Sequence, residues 1–197
     1  MLRLTTLICA LILLVACSSS PTTRYYLLQP LSSPPAQSSI TTATVIGLGP
    51  IEIAEYLSKP QLLKTNGSYQ LNYSDFDRWA EPIEQGILRV LQQNLSILRN
   101  NSPVYPFPWR RDEQPPIAIR CHILALDVNQ NNQALLKVDW RLVNTSTGEK
   151  LAGAIDIFKT SAGSSYAGQA QAYSQLLDQF SQQLVKVVQN LPRSDQH

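Results

Sequence analysis

The 197-residue sequence predicts a mixed α/β fold: a single mixed, largely antiparallel β-sheet with two long amphipathic helices packed on it. Two observations predict it. Residues 134–143 alternate apolar and polar side chains, a period of two that is typical of a strand with one buried face. In residues 83–98 and 166–191, apolar side chains recur every three or four positions, which is typical of a helix with one apolar face. Both patterns leave apolar faces that are buried when the helices cover the sheet.

The chain begins with an apolar stretch that ends in the sequence LVAC at Cys17, followed by three serines. A bilayer core takes roughly 20 apolar residues, so residues 4–16 are too few to span it and resemble the core of a signal peptide. The junction resembles a bacterial lipobox, in which the Cys thiol accepts a diacylglyceryl group before cleavage. We therefore predict lipidation of Cys17; an ordinary secretory signal and an uncleaved anchor helix are the alternatives.

The residue after the lipidated Cys indicates which of the two membranes holds the protein. Asp at that position is the familiar signal for retention in the inner membrane, and Ser18 stands there instead. The sequence therefore predicts a protein anchored to the outer membrane and facing the periplasm, held by acyl chains that each contribute about 0.8 kcal/mol per buried CH₂.

Length and charge predict one domain on a tether. We expect a cleaved signal peptide (1–16), a short tether (17–23), one α/β domain (24–192) and a disordered tail (193–197). Loss of the signal peptide lowers the formal charge from +2 to +1. Such a small charge gives no basic field for nucleic acid.

The first half of the domain starts with an aromatic strand at residues 24–28 and a proline-rich loop at 29–42. A strand at 43–54 follows, and its Gly47, Gly49 and Pro50 favour a bulge or an edge position. After a turn at 56–60, Asn66-Gly67 predicts a hairpin between segments 61–64 and 68–73.

The first helix is predicted to begin near Asp77 and to run to about Arg99, with Pro82 in its opening turn. Asp75 and Asp77 lie where a helix cap is expected. Capping is therefore favoured for them over paired catalytic carboxylates.

The second half is predicted to be a proline-rich loop or edge segment (104–116) and then an antiparallel meander of strands at 117–128, 134–143 and 150–160. A final helix spans roughly 165–190. Its polar face is rich in Gln, which fits either a solvated surface or a protein contact.

The inventory of reactive side chains is small. Cys9 leaves with the signal peptide and Cys17 is acylated, so Cys121 is the only remaining thiol; its isoleucine neighbours favour a buried core thiol over a reactive one. His122 is expected to be a surface or half-buried residue, and His197 ends the chain. No Cys/His spacing suits a metal. The sequence therefore predicts no catalytic residue, no metal, no cofactor and no enzymatic activity.

Two segments carry a family resemblance. The sequences IEIAEYLSKPQ (51–61) and DRWAEPI (77–83) resemble the two signature stretches of the PqiC/YmbA family, the auxiliary lipoproteins of ABC-type transport systems. The resemblance extends over the mature chain and includes the opening YYLL sequence and the strand with Trp140.

The resemblance implies an outer-membrane component of intermembrane lipid transport, a docking or exit module without chemistry of its own. The implied partners are an MCE-domain periplasmic tunnel protein and its inner-membrane permease, with a homo-oligomer as a further possibility. A binding or assembly lipoprotein of another envelope complex is the alternative, and an envelope hydrolase a weaker one. The candidate site residues either contact a partner or lock the fold: Tyr56, Leu57, Lys59, Pro60, Arg78, Trp79, Glu81 and Pro82. Arg78 and Glu81 are expected within pairing reach on the helix.

Overall fold

The computed structural model describes residues 21–32, 45–67 and 69–191, and it confirms the mixed α/β class. Cys17, the signal peptide and the tail lie outside the described residues. In chain order the elements are β1 (Arg24–Tyr26), β2 (Ile46–Ile53), a 3₁₀ turn (Glu55–Leu57), β3 (Gln61–Asn66), β4 (Gln70–Trp79), α1 (Ile83–Leu98), β5 (Val104–Pro106), β6 (Ile117–Val128), β7 (Gln133–Asn144), β8 (Lys150–Ser161) and α2 (Tyr166–Gln189).

A five-stranded sheet in the order β5-β2-β6-β7-β8 forms the main layer. Strands β6, β7 and β8 form the predicted antiparallel meander, and β2 runs parallel to both β5 and β6. The register of β2 against β6 shifts between Leu48 and Ile51, at Gly49 and Pro50. The predicted irregularity is therefore confirmed, although β2 lies inside the sheet and not at its edge.

The prediction of a single sheet is wrong, because β1, β4 and β3 form a second, three-stranded sheet. The β3–β4 hairpin is antiparallel, as Asn66-Gly67 predicts, and β1 joins β4 in parallel. The 3₁₀ turn after β2 redirects the chain, so β3 pairs with β4 and not with β6. A side-chain hydrogen bond from Thr65 Oγ1 to the carbonyl of Val128 (3.2 Å) links the end of the hairpin to the main sheet.

Helices α1 and α2 pack against each other on one face of the five-stranded sheet, with α1 over β2 and β5 and α2 over β7 and β8. Their apolar stripes are buried: Val90 and Leu91 of α1 are inaccessible to solvent, and Phe180 of α2 packs on Phe158 with ring centroids 5.8 Å apart. Burial of a large apolar side chain contributes about 1.5–3 kcal/mol, so this interface stabilises the fold strongly. Among the described residues, no helix is long and apolar enough to span a membrane.

The start of the first helix differs from the prediction. Residues 77–79 belong to β4, and α1 begins at Ile83, directly after Pro82. The residue before a proline is sterically disfavoured in the helical region, which keeps Glu81 out of the helix. The backbone of Asp77–Trp79 pairs with β1 instead. Asp75 and Asp77 therefore cap no helix, and the predicted capping role is wrong.

Cys121 and His122 are neighbours on β6, and their side chains point to opposite faces of the main sheet. Cys121 faces the helices and is buried, which confirms the prediction of a core thiol, and burial raises the pKa of this thiol. His122 is exposed on the opposite face, in register with Glu52 on one side and Asp139 on the other.

Candidate functional site at the junction of the two sheets

The two signature segments meet where the three-stranded sheet adjoins the main one. The backbone N–H of Trp79 donates to the carbonyl of Pro60 at 2.7 Å, and Gln61 lies opposite Arg78 in the β3–β4 pairing. Segments some twenty residues apart in sequence thus form one structural unit.

The first segment is fixed through Tyr73 of β4. The Tyr73 hydroxyl donates to the carbonyl of Tyr56 at 2.9 Å, and the ammonium of Lys59 lies 4.4 Å from the centre of the Tyr73 ring. Leu57 is buried in the core, whereas Lys59 and Pro60 are exposed. Burial raises the pKa of the Tyr56 phenol above its ordinary value. The segment therefore combines a buried anchor with an exposed Lys-Pro turn.

Trp79 is the buried centre of the junction. Its side chain is 8% exposed and stacks on Tyr173 of α2, with ring centroids 6.0 Å apart and an interplanar angle of 28°. The indole thus connects the small sheet to the last helix, and not the first helix to a sheet.

A small cavity beside Trp79 has a volume of about 10 Å³, close to what one water molecule requires. Gln61 and Gln169 line it, and the side-chain carbonyl oxygens of both residues are buried without a protein partner. The amide nitrogen of Gln169 donates to the carbonyl of Leu63 and to the Tyr173 hydroxyl. Most of the other lining side chains are apolar, and the cavity is far too small for an acyl chain.

The structure also shows an ionic cluster around the buried Asp77 that the sequence analysis missed. The Asp77 carboxylate accepts hydrogen bonds from Arg24 (2.8 and 3.0 Å), Tyr26 (2.8 Å) and Ser74 (2.7 Å). Burial by itself raises the pKa of Asp77, but the bonds from Arg24, Ser74 and Tyr26 together hold this pKa below its usual value. The hydrogen bond to Asp77 in turn raises the pKa of Arg24. The cluster fastens β1 to β4.

The sequence did contain a signal that strand β4 continues through Asp77. Pro82 disfavours helix at Glu81, and the preceding residues alternate in a strand-like way, with Asp77 and Trp79 on one face and Arg78 on the other. Because proline is also common in the first turn of a helix, Pro82 favoured a helix that begins near Asp77 over this strand-like alternation.

The remaining motif residues do not pair as expected. Arg78 lies on β4 and Glu81 on the linker to α1, so the predicted Arg78–Glu81 pair on a helix is wrong. Glu81 pairs instead with Arg89 of α1, with 2.5 Å between Oε1 and Nη2. Arg89 also donates to the carbonyl of Leu28, which ties the chain after β1 to α1. Pro82 is exposed where the helix begins.

The described part of the chain contains no group of three His, Cys, Asp or Glu side chains arranged to hold a metal. The junction consists of stacked rings, backbone hydrogen bonds and the Asp77 carboxylate, whose charge is balanced by Arg24. Such an arrangement fixes the relative position of the two sheets and presents an exposed rim around a buried centre.

A model of the family described as "ABC-type transport auxiliary lipoprotein component" matches residues 26–185. The chain belongs to this family. The matched range contains both signature segments and extends from β1 into α2. The predicted family of this auxiliary lipoprotein is therefore confirmed, over most of the chain.

Solved structures agree on the fold of the auxiliary lipoprotein. A DUF330 protein from Xanthomonas campestris aligns with a TM-score of 0.72 at 13% identity, covering 85% of this chain and 97% of that one. An uncharacterized protein of known crystal structure aligns with a TM-score of 0.70 at 15% identity, covering 85% and 99%. At these identities the likeness establishes the fold alone. No curated protein matches the sequence.

Proposed function

We propose that this auxiliary lipoprotein is a non-catalytic subunit of an MCE-type intermembrane lipid transport system, held at the outer membrane by acyl chains on Cys17 and facing the periplasm. The observation that carries the proposal is the match to the transport auxiliary family over residues 26–185. The lipobox-like junction at Cys17, which lies outside the described residues, supports the anchor. Its role is to dock the periplasmic tunnel protein at its outer-membrane end.

The geometry of the junction supports a docking role. Leu57 and Trp79 are buried and hold the two signature segments together, while Lys59, Pro60 and Pro82 remain exposed at the rim. Two prolines limit the conformational freedom of this rim before binding, and a preorganised surface loses less entropy when a partner binds. A protein contact needs such a rim, whereas lipid passage would need a larger cavity than the one beside Trp79.

Site-specific photocrosslinking in cells tests this proposal. A photoreactive residue replaces Lys59 or Pro82, and a matched control replaces Gln182 on the Gln-rich face of α2; crosslinked products are identified by mass spectrometry. We expect the rim positions to capture an MCE-domain protein and the control to capture none. Capture of exporter or cell-wall components alone would instead favour an assembly lipoprotein of another envelope complex. Capture at Gln182 alone would instead indicate that the docking surface lies on α2.

A further inference from the structure

The outer face of the three-stranded sheet exposes an apolar patch close to the start of the domain. Tyr25 is 65% exposed, Leu27 44% and Phe76 39%. Large apolar side chains this accessible and this close together mark a surface that contacts something other than water. We call Tyr25, Leu27, Phe76 and the neighbouring Arg78 the β1–β4 face.

Register places Tyr25 and Arg78 on one side of the sheet, and the alternation of exposed and buried residues along each segment places Leu27 and Phe76 with them. Arg24 and Tyr26 both bond to Asp77, so the side chain of Tyr25 between them points to the opposite side. Arg78 lies directly opposite Tyr25 in the β1–β4 pairing. Phe76 is two residues before Arg78 on β4, while Asp77 and Trp79 on the inner side are buried.

Arg78 gives this face a positive charge. Its side chain is partly exposed and makes no ion pair or hydrogen bond with another described side chain, unlike Arg24, which is bound to Asp77. Tyrosine is enriched at the membrane–water interface, and an arginine beside it is attracted by anionic headgroups. The composition of the β1–β4 face therefore suits the surface of a phospholipid bilayer.

The length of the chain before β1 sets how far this face can lie from the membrane. Arg24 follows Cys17 by seven residues, and a fully extended chain of that length spans at most about 25 Å. A folded unit of about 150 residues has a radius of gyration of about 15 Å and is therefore roughly 40 Å across. The tether is thus shorter than the folded unit is wide, which keeps β1 on the side nearest the bilayer.

We propose that the β1–β4 face lies against the anionic phospholipid surface to which Cys17 is anchored and orients the folded unit on the membrane. This inference rests on the lipidation of Cys17 within the proposed function. A bilayer fits the face better than a protein partner does, because the anchor already brings lipid within reach of β1.

Nitroxide labels on the lipidated full-length protein test the proposal. The labels are attached at Tyr25→Cys and Phe76→Cys, and at Gln182→Cys as control. Gln182 is exposed and lies sixteen residues beyond Tyr166 along α2, a distance of about 24 Å. Tyr166 itself lies near the small sheet, 5.2 Å beneath the ammonium of Lys64. Cys121 is buried, so it does not compete for the label.

The proteins are reconstituted in vesicles of phosphatidylethanolamine and phosphatidylglycerol, and collisions with oxygen and with a water-soluble nickel chelate are measured. We expect the labels at 25 and 76 to be shielded from nickel several-fold relative to 182 while oxygen still reaches them. Arg78→Gln, or omission of phosphatidylglycerol, is expected to reduce this shielding.

Two outcomes would overturn the proposal alone while leaving the anchor intact. Labels at 25 and 76 as accessible to nickel as the label at 182 would show that the face is in water. Labels shielded from both oxygen and nickel would show that another protein copy covers it. Mass spectrometry of Cys17 distinguishes failure of the β1–β4 face proposal from failure of the proposed anchor. An unacylated Cys17 would overturn the anchor and this proposal together.

Discussion

Trp79 and Arg78 are neighbours in one signature segment, yet their environments are opposite. Trp79 stacks on Tyr173 in the core, whereas Arg78 lies on the outer side of the same strand. The period of two along β4 explains the difference, because successive side chains point to opposite faces of a sheet. Two adjacent residues of one signature segment therefore differ in role: Trp79 stabilises the fold, and Arg78 belongs to the surface.

Trp79→Ala is expected to lower the free energy of unfolding by about 3–5 kcal/mol, the usual cost of truncating a large buried side chain. Urea denaturation followed by circular dichroism measures the change, and Trp79→Phe, which retains a ring against Tyr173, should cost less. A Trp79→Ala protein of unchanged stability that no longer supports transport would instead identify Trp79 as a contact residue.

Asp77→Asn is expected to destabilise the protein by about 1–3 kcal/mol near neutral pH, because it removes the charge that Arg24, Tyr26 and Ser74 satisfy. The folded-state pKa of Asp77 lies below that of the unfolded chain, which is about 4. The stabilisation is therefore present above the unfolded-state pKa and is lost as pH falls through the folded-state pKa.

The measurement is the difference in urea midpoint between the wild-type and Asp77→Asn proteins across pH. We expect this difference to be constant near neutrality and to narrow below about pH 4. A difference that stays unchanged down to strongly acidic pH would contradict a stabilising ionised Asp77.

At the scale of elements, the position of α1 was decided by competition between strand and helix for residues 77–82. The apolar spacing of Ile83 and Ile87 predicts the helix, and Pro82 fits its start. Strand β4 nevertheless continues to Trp79 because Pro60 and β1 supply hydrogen-bond partners on its two sides. Partners distant in sequence therefore moved the boundary.

The last helix, α2, has a side-chain cap that the sequence could supply locally. Ser165 Oγ accepts a hydrogen bond from the backbone N–H of Gly168 at 3.0 Å. Ser165→Ala is expected to cost about 0.5–2 kcal/mol, measured as a lowered urea midpoint. Ser164→Ala is the matched control, since Ser164 contributes its backbone carbonyl to Lys64 and should tolerate the change. Equal effects of both substitutions would refute the capping role.

At the scale of the whole molecule, we expect the folded unit and the proposed lipid anchor at Cys17 to be separable. Among the described residues, the buried core extends from Leu28 to Val188. Stability and localisation are therefore expected to respond to different substitutions.

Cys17→Ala is expected to leave the melting temperature unchanged and to move the protein from the membrane fraction to the soluble or unprocessed pool, as measured by cell fractionation and radiolabelled palmitate. Cys9→Ala in the signal peptide is the control and should remain lipidated. Incorporation of palmitate into the Cys17→Ala protein would contradict the lipobox assignment.

The sequence by itself determined features that depend on local patterns. The alternation of β7, the meander of β6 to β8, the hairpin at Asn66-Gly67 and the two amphipathic helices all follow from spacings within a few residues. The buried state of Cys121 follows in the same way from its isoleucine neighbours. Family membership could also be inferred from the two signature segments, because their residues are contiguous.

Only the tertiary structure decided how distant segments combine. The division into two sheets, the parallel pairing of β1 with β4 and the Asp77 cluster all join residues separated by some fifty positions. No local spacing encodes such a contact, because the hydrogen-bond partners of β4 are supplied by whichever strand the chain brings beside it. The same pairing buried Trp79 and placed Tyr25, Phe76 and Arg78 together on the outer face.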